Sequence, residues 1–415
     1  MTTKRSMMLS RRTMIAAAAI AAAEFPIRRI AHAQKKYGPG VTDSEIKIGN
    51  ILPYSGPFSS YGVLGKTEAR FFEMINQQGG INGRRINFVS YDDAYSPPKT
   101  VEQARRLVEA DQVLLIANPL GTPTNSAIHK YMNQNKVPHL FLGSGATKWG
   151  DPKNFPWTMG FAPNYQSEGR IYAAHILEKY ANGRVAVLYQ NDDYGKDYLK
   201  GLTDGLGDKA EAMIVATATY EAADPTVDSQ VVTLKSSGAD IFVNIAAPKF
   251  AAQAIRKTAS LGWRPVHILN GISRSVEAVL KPAGLDNAKG TLCAAYMKDP
   301  TDPAWKEDAG VTEWSGFMDK YFPEGNKSDS NTVFGCTVAQ ALVQVLKQCG
   351  DDLSRENVMK QAANLHDLSL PMLLPGITIN TSPTDYFPIK QMQMVRFTGE
   401  HWEGFGPLIS GGSAS

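Results

Sequence analysis

Four short stretches carry residue types able to hold a ligand. Gly121-Thr122 follows the apolar run 113–117, and Ser144-Gly145-Ala146-Thr147 follows the run 137–142. Small residues and hydroxyls let backbone N–H groups approach an anion, and the first stretch leads into a helical pattern whose N-terminus adds partial positive charge. Either stretch alone reads equally well as a tight turn, whereas the two together, on neighbouring strands, favour an anion site. Tyr61 and Tyr194 stand at other strand exits, where an amphipathic ring can cover an apolar ligand; the plainer reading of each is a surface aromatic.

Nothing in the spacing points to turnover. Gly143-Ser144-Gly145 does not have the spacing of a G-x-S-x-G nucleophile elbow, and neither G-x-x-x-x-G-K-[ST] nor H-E-x-x-H occurs. The seven histidines show no metal-ligand spacing, and Asp92-Asp93 offers too few oxygens for a cation, so it reads as a turn cap. No catalytic residue, metal or cofactor is expected.

Parallel sheets must position these stretches. From Glu45 the chain alternates short apolar runs with segments of helical period: strands are expected at 46–48, 86–91, 113–117 and 137–142, with helices between them. The pattern restarts at Arg184, with strands at 185–189, 213–216, 241–245 and 266–269. It continues less regularly with a strand at 289–296 and a helix at 332–347. Repeated βα units imply an α/β fold of two Rossmann-like, doubly wound lobes, with the ligand crevice beyond the carboxyl ends of the strands.

The first residues read as an address. Ser10-Arg11-Arg12-Thr13 precedes an apolar run at 14–23, and Ala31-His32-Ala33 supplies a small-x-small cleavage pattern, so 1–33 is expected to be a signal peptide. The arginine pair resembles a twin-arginine signal, with an ordinary secretion signal as the alternative. Its removal leaves 37 basic against 39 acidic side chains, so the apparent basicity belongs to the signal and nucleic acid is not an expected partner. No later apolar run reaches transmembrane length. Cys336 and Cys349 bracket a helical pattern that would hold them far apart, and no bridge between them is expected.

The residues also carry a resemblance. Ile46-Lys47-Ile48-Gly49, Ser55-Gly56-Pro57, Gly79-Gly80-Ile81-Asn82-Gly83, Tyr91-Asp92-Asp93-Ala94, Tyr194-Gly195 and Leu261-Gly262-Trp263 are, in order and separation, similar to the branched-chain amino-acid-binding proteins of ABC importers, the type I periplasmic binding proteins. The resemblance implies lobes joined by a three-crossover hinge, here 44–164 with 272–376 and 165–271 with 377–415. It implies a periplasmic, non-enzymatic receptor that closes on a small molecule and docks on permease subunits. A signalling receptor of the same fold and a secreted hydrolase are the alternatives.

Carried over by the resemblance, the ligand carboxylate falls near Gly121, Thr122, Ser144, Gly145, Ala146 and Thr147, with Tyr61 and Tyr194 as aromatic walls and Tyr165 and Tyr296 as further candidates. One departure matters. Where amino-acid binders place an acid for the ligand ammonium, this chain reads Ala246-Ala247-Pro248-Lys249-Phe250. An unpaired ammonium in a closed cleft costs about 2–5 kcal/mol. Phe250 then suggests an apolar body behind the carboxylate, with Lys249 solvated or beside a second anionic group. The expected cargo is an aromatic or aliphatic acid without an α-amino group, with leucine as the alternative.

Overall fold

The computed structural model describes residue 2 and residues 35–412, so the signal peptide expected at 1–33 lies, residue 2 apart, outside the described residues. Strand β1 (Lys36–Tyr37) leads into a five-stranded sheet built from β2 (Glu45–Leu52), β3 (Arg85–Asp92), β4 (Leu115–Ala117), β5 (His139–Leu142) and β6 (Thr158–Gly160). Its spatial order is β3-β2-β4-β5-β6, and every pairing is parallel. The apolar residues of β4 and β5 are buried on both faces, which is why their sequence is continuous rather than alternating.

The second sheet takes β7 (Val185–Gln190), β8 (Ile214–Tyr220), β9 (Ile241–Ile245), β10 (Val266–Leu269) and β11 (Leu292–Ala295). Asp352–Leu353 forms β12, which pairs with β1, and β13 (Gln391–Phe397) and β14 (Trp402–Ser410) close the second sheet as an antiparallel hairpin. The seven strands run β14-β13-β11-β10-β9-β7-β8. The fold is therefore α/β with two sheets of doubly wound character.

The helices that accompany these strands include α1 (Val63–Gln77), α2 (Pro97–Arg105), α3 (Thr122–Gln134), α4 (Tyr165–Lys179) and α5 (Asp193–Leu206). The chain passes between the halves three times. It leaves β6 through α4, which packs on α5; it leaves β11 for the helices Ala309–Tyr321 and Ser330–Cys349, which pack on α1; and it returns to the second sheet at β13.

The strand expected at 289–296 in the first lobe is a correction. It forms as β11, but pairs in parallel with β10 (Ile268 opposite Leu292) and antiparallel with β13, so it belongs to the second sheet. After β10 the chain makes helical turns at Val276–Leu280 and Leu285–Ala288 that pack on the helix Pro248–Ser260, which keeps it over that sheet. Alternation of strand and helix does not say which sheet receives the next strand.

Cys293, Cys336 and Cys349 are buried free thiols, the latter two on one helix. No helix among the described residues is long and apolar enough to cross a membrane.

Candidate ligand-binding site

A cavity of about 840 Å³, its mouth included, opens between the carboxyl ends of the two sheets. From the first half come Phe58, Tyr61, Leu64, Tyr95, Leu120 and the Gly121-Thr122 turn. From the first crossing and the second sheet come Tyr165, Glu168, Gln190, Tyr194, Arg274 and Tyr296. Ser330, Asn331 and Phe334, at the start of the helix Ser330–Cys349, close the remaining side.

Local hydrogen bonds explain why these side chains arrive there. Asp92 Oδ1 accepts the N–H groups of Tyr54 (2.9 Å) and Ser55 (3.2 Å), which fixes the loop that carries Phe58 and Tyr61. Asp93 accepts from Tyr95 N (2.8 Å) and Thr100 Oγ1 (2.7 Å), and Tyr95 stacks on Phe58 with ring centroids 3.9 Å apart. Asp92-Asp93 thus acts as turn caps. Asp192 caps α5 by accepting Tyr194 N (3.0 Å) and Gly195 N (3.3 Å), which sets Tyr194 at the strand exit. Gly121 has φ +101°, and a Cβ there would lie 2.5 Å from the Tyr95 ring, so only glycine lets helix α3 begin against that ring.

The cavity gathers Tyr61, Gly121, Thr122, Tyr165, Tyr194 and Tyr296 from the expected set. Ser144, Gly145, Ala146, Thr147 and Phe250 do not line it, and each has a physical reason. Ser144 Oγ is shared between Thr122 Oγ1 (2.8 Å) and Trp149 Nε1 (2.9 Å). A Cβ on Gly145 would lie 2.1 Å from Pro163 O, so that glycine serves a close chain approach, and Ala146 is fully buried. Thr147 N donates to Asp197 Oδ2 at 2.7 Å across the halves, so the amide expected to face a ligand carboxylate already holds a protein one. Phe250 is fully buried behind the wall, with Tyr220 at 4.4 Å and Phe58 at 6.3 Å between centroids. Lys249 Nζ reaches Asp224 O at 3.3 Å and lies 4.8 Å from the centroid of the Phe250 ring, away from the cavity lining.

Sequence reasoning missed Glu168 and Arg274. Glu168 accepts from Tyr172 Oη (2.5 Å), Tyr198 Oη (2.7 Å) and Gly271 N (2.6 Å). Burial pushes its carboxyl pKa up, against the opposing pull of those donors and of the Arg274 charge. Arg274 stands in the loop after β10 and is 3% exposed. Its backbone carbonyl accepts Trp402 Nε1 at 2.7 Å, which anchors the loop. The rule that picked the other loops, residues just past a parallel strand, applies equally to Gly271-Ile272-Ser273-Arg274 and was the available signal.

The phenols are held neutral: burial pushes Tyr165 up to about 12 and Tyr194 well above the ordinary tyrosine value. Tyr194 Oη and Arg274 Nη2 are buried polar atoms with no hydrogen-bond partner among the described residues. An apolar chamber with a few unsatisfied donors suits capture of an oxygen-bearing small molecule.

A profile of the family described as periplasmic binding protein matches residues 45–401. The chain belongs to that family. This periplasmic binding protein is 25% identical over 325 residues to Leu/Ile/Val-binding protein homolog 7 of Brucella suis, covering 74% of the chain and 79% of that relative. Among solved structures it is similar to a branched-chain amino acid ABC transporter protein of Thermus thermophilus with bound valine (TM-score 0.78, 15% identity, 89% of this chain and 97% of that one). It is also similar to a solute-binding protein of R. palustris in complex with benzoate (TM-score 0.74, 18% identity, 88% and 98%). At these identities the solved structures share the fold. The protein is a periplasmic binding protein of the Leu/Ile/Val-binding type, from a family of substrate-binding proteins rather than enzymes.

Proposed function

We propose that this protein is the solute receptor of an ABC importer and that its cargo is a small carboxylic acid with an aromatic or aliphatic body and no α-amino group. The observation that carries this is the absence of a free acid for an ammonium. The helix Pro248–Ser260 has no acidic residue in its first turn. Among the described lining residues Glu168 is the one carboxylate, and three protein donors occupy it. An ammonium brought into such a chamber would lack a partner, whereas rings and a carboxylate match the walls. The named ligands of the similar structures, valine and benzoate, bracket the choice.

Closure couples capture to transport. Tyr61 Oη donates to Ile272 O at 3.3 Å, and Lys148 pairs with Asp193 at 2.6 Å, so both bonds span the halves that a ligand would bridge. The closing bodies are 44–164 with 297–376 and 165–296 with 377–415, and the closed form is the one that docks on the permease. Ser10-Arg11-Arg12-Thr13 directs export by the twin-arginine route.

Native mass spectrometry of freshly purified protein tests the reading. The expected adduct is a single small acid released unchanged on denaturation; a retained amino acid, or recovery of a cleaved product, would overturn it.

A further inference from the structure

Arg274 presents an unresolved charge. It is 3% exposed, it lines the cavity, and its Nη2 has no hydrogen-bond partner among the described residues. A buried guanidinium whose donors find no hydrogen-bonded anion is destabilising. Three carboxylates lie in its neighbourhood, and each is engaged elsewhere. Glu168 accepts three donors, and burial disfavours its ionised form. Asp299 and Asp302 share a smaller cavity with Arg274. Asp299 receives Thr301 N (2.9 Å) and Trp402 N (2.9 Å), while Asp302 caps Ala304 N (2.9 Å).

A second donor, the Asn331 side chain, lines the same cavity. Ser275, the next residue, donates to Asp329 Oδ1 at 2.9 Å, and the same oxygen accepts Asn331 N at 3.0 Å. That bridge ties the first turn of the helix Ser330–Cys349 to the Arg274 loop. It brings the Asn331 side chain, which also draws on the Asp329 carboxyl, into the lining of the same chamber. The Trp402 bond to the Arg274 carbonyl keeps the loop in place before any ligand arrives.

We propose that Arg274, with Asn331 beside it, is the carboxylate anchor of the cavity, and that cargo binds with its charged end at this hinge-side loop rather than at the Ser144 turn. The guanidinium fork matches a carboxylate with two parallel N–H bonds, a geometry a lysine ammonium does not reproduce. The inference rests on the reading of the cavity as a site for an apolar acid, and it assigns that acid a single negative charge.

The test is calorimetric titration of the mature protein with benzoate and cinnamate, each beside its neutral amide, using wild type, Arg274→Met, Arg274→Lys and Ser144→Ala. Wild type is expected to prefer acid over amide by about 30-fold or more; Arg274→Met removes that preference, and Arg274→Lys retains part of it. Ser144→Ala, at a turn that does not line the cavity, is expected to change acid affinity by less than about 3-fold. A folded Arg274→Met that binds acid as wild type does would overturn the proposal, as would equal wild-type affinity for acid and amide, a result that also serves if the methionine variant fails to fold. If wild type takes leucine and neither acid, the reading of the cargo falls separately. Arg274 as anchor is then supported if Arg274→Met loses leucine and overturned if it does not.

Discussion

Glu168 Oε1 accepts the Gly271 N–H at 2.6 Å, linking the first helix of the hinge to the loop after β10. The same carboxylate takes the phenols of Tyr172 and Tyr198, so one buried side chain joins α4, α5 and the strand exit that carries Arg274. Glu168→Ala strands the Tyr198 hydroxyl and the Gly271 amide, and is expected to cost about 2–4 kcal/mol in urea unfolding. Glu168→Gln keeps a carbonyl acceptor and is expected to cost less than half as much; equal losses would show that the link contributes little.

Ser144 Oγ is held within the wall by Thr122 Oγ1 and Trp149 Nε1. Ser144→Ala leaves Trp149 Nε1 and Thr122 Oγ1 short of a partner, and a loss of about 1–3 kcal/mol of stability is expected. Acid affinity measured by calorimetry should stay within about 3-fold of wild type. A large affinity loss at unchanged stability would return the carboxylate to this turn.

Tyr194 gives the opposite pattern. Its hydroxyl is buried without a hydrogen-bond partner among the described residues, so Tyr194→Phe removes an unsatisfied group and is expected to leave the melting temperature of ligand-free protein unchanged or slightly higher. If cargo supplies the missing partner, affinity falls by roughly 5- to 10-fold. A lower melting temperature with intact affinity would contradict this.

Glu68 makes stability depend on pH. It is 2% exposed beneath the first sheet, and burial raises its pKa well above the ordinary glutamate value, partly opposed by the bond from Asn118. The native state therefore holds the proton more tightly than the unfolded chain. This contribution is fully present below the ordinary glutamate value and is lost as pH rises through the raised one. Denaturant unfolding at about pH 5 and about pH 8 should show wild type losing stability over that interval relative to Glu68→Gln, and parallel behaviour of the two would refute it.

Much of the frame was legible because parallel strands buried on both faces, such as β4 and β5, write continuous apolar runs bounded by turn residues. The cavity was legible where a single loop follows a single strand, as at Tyr61, Gly121 and Tyr194. It was not legible at Ser144 and Thr147, whose type fits an anion site but whose donors and acceptors are taken by Thr122, Trp149 and Asp197. Those partners lie far along the chain or on the facing half. Arg274 escaped notice because a lone arginine after a strand reads as surface. Only the packing of Trp402 and of the Ser275–Asp329 bridge shows that it is buried. The sheet membership of β11 was equally hidden, since it is set by the turns that pack on the helix Pro248–Ser260.

Isothermal titration of the mature protein with cinnamate and with leucine, under one buffer, weighs an acid lacking an α-amino group against an amino acid most directly. Stoichiometric binding of the acid, with leucine weaker by about 30-fold or more, is the expected result. Tight leucine binding with no heat from the acid would contradict it.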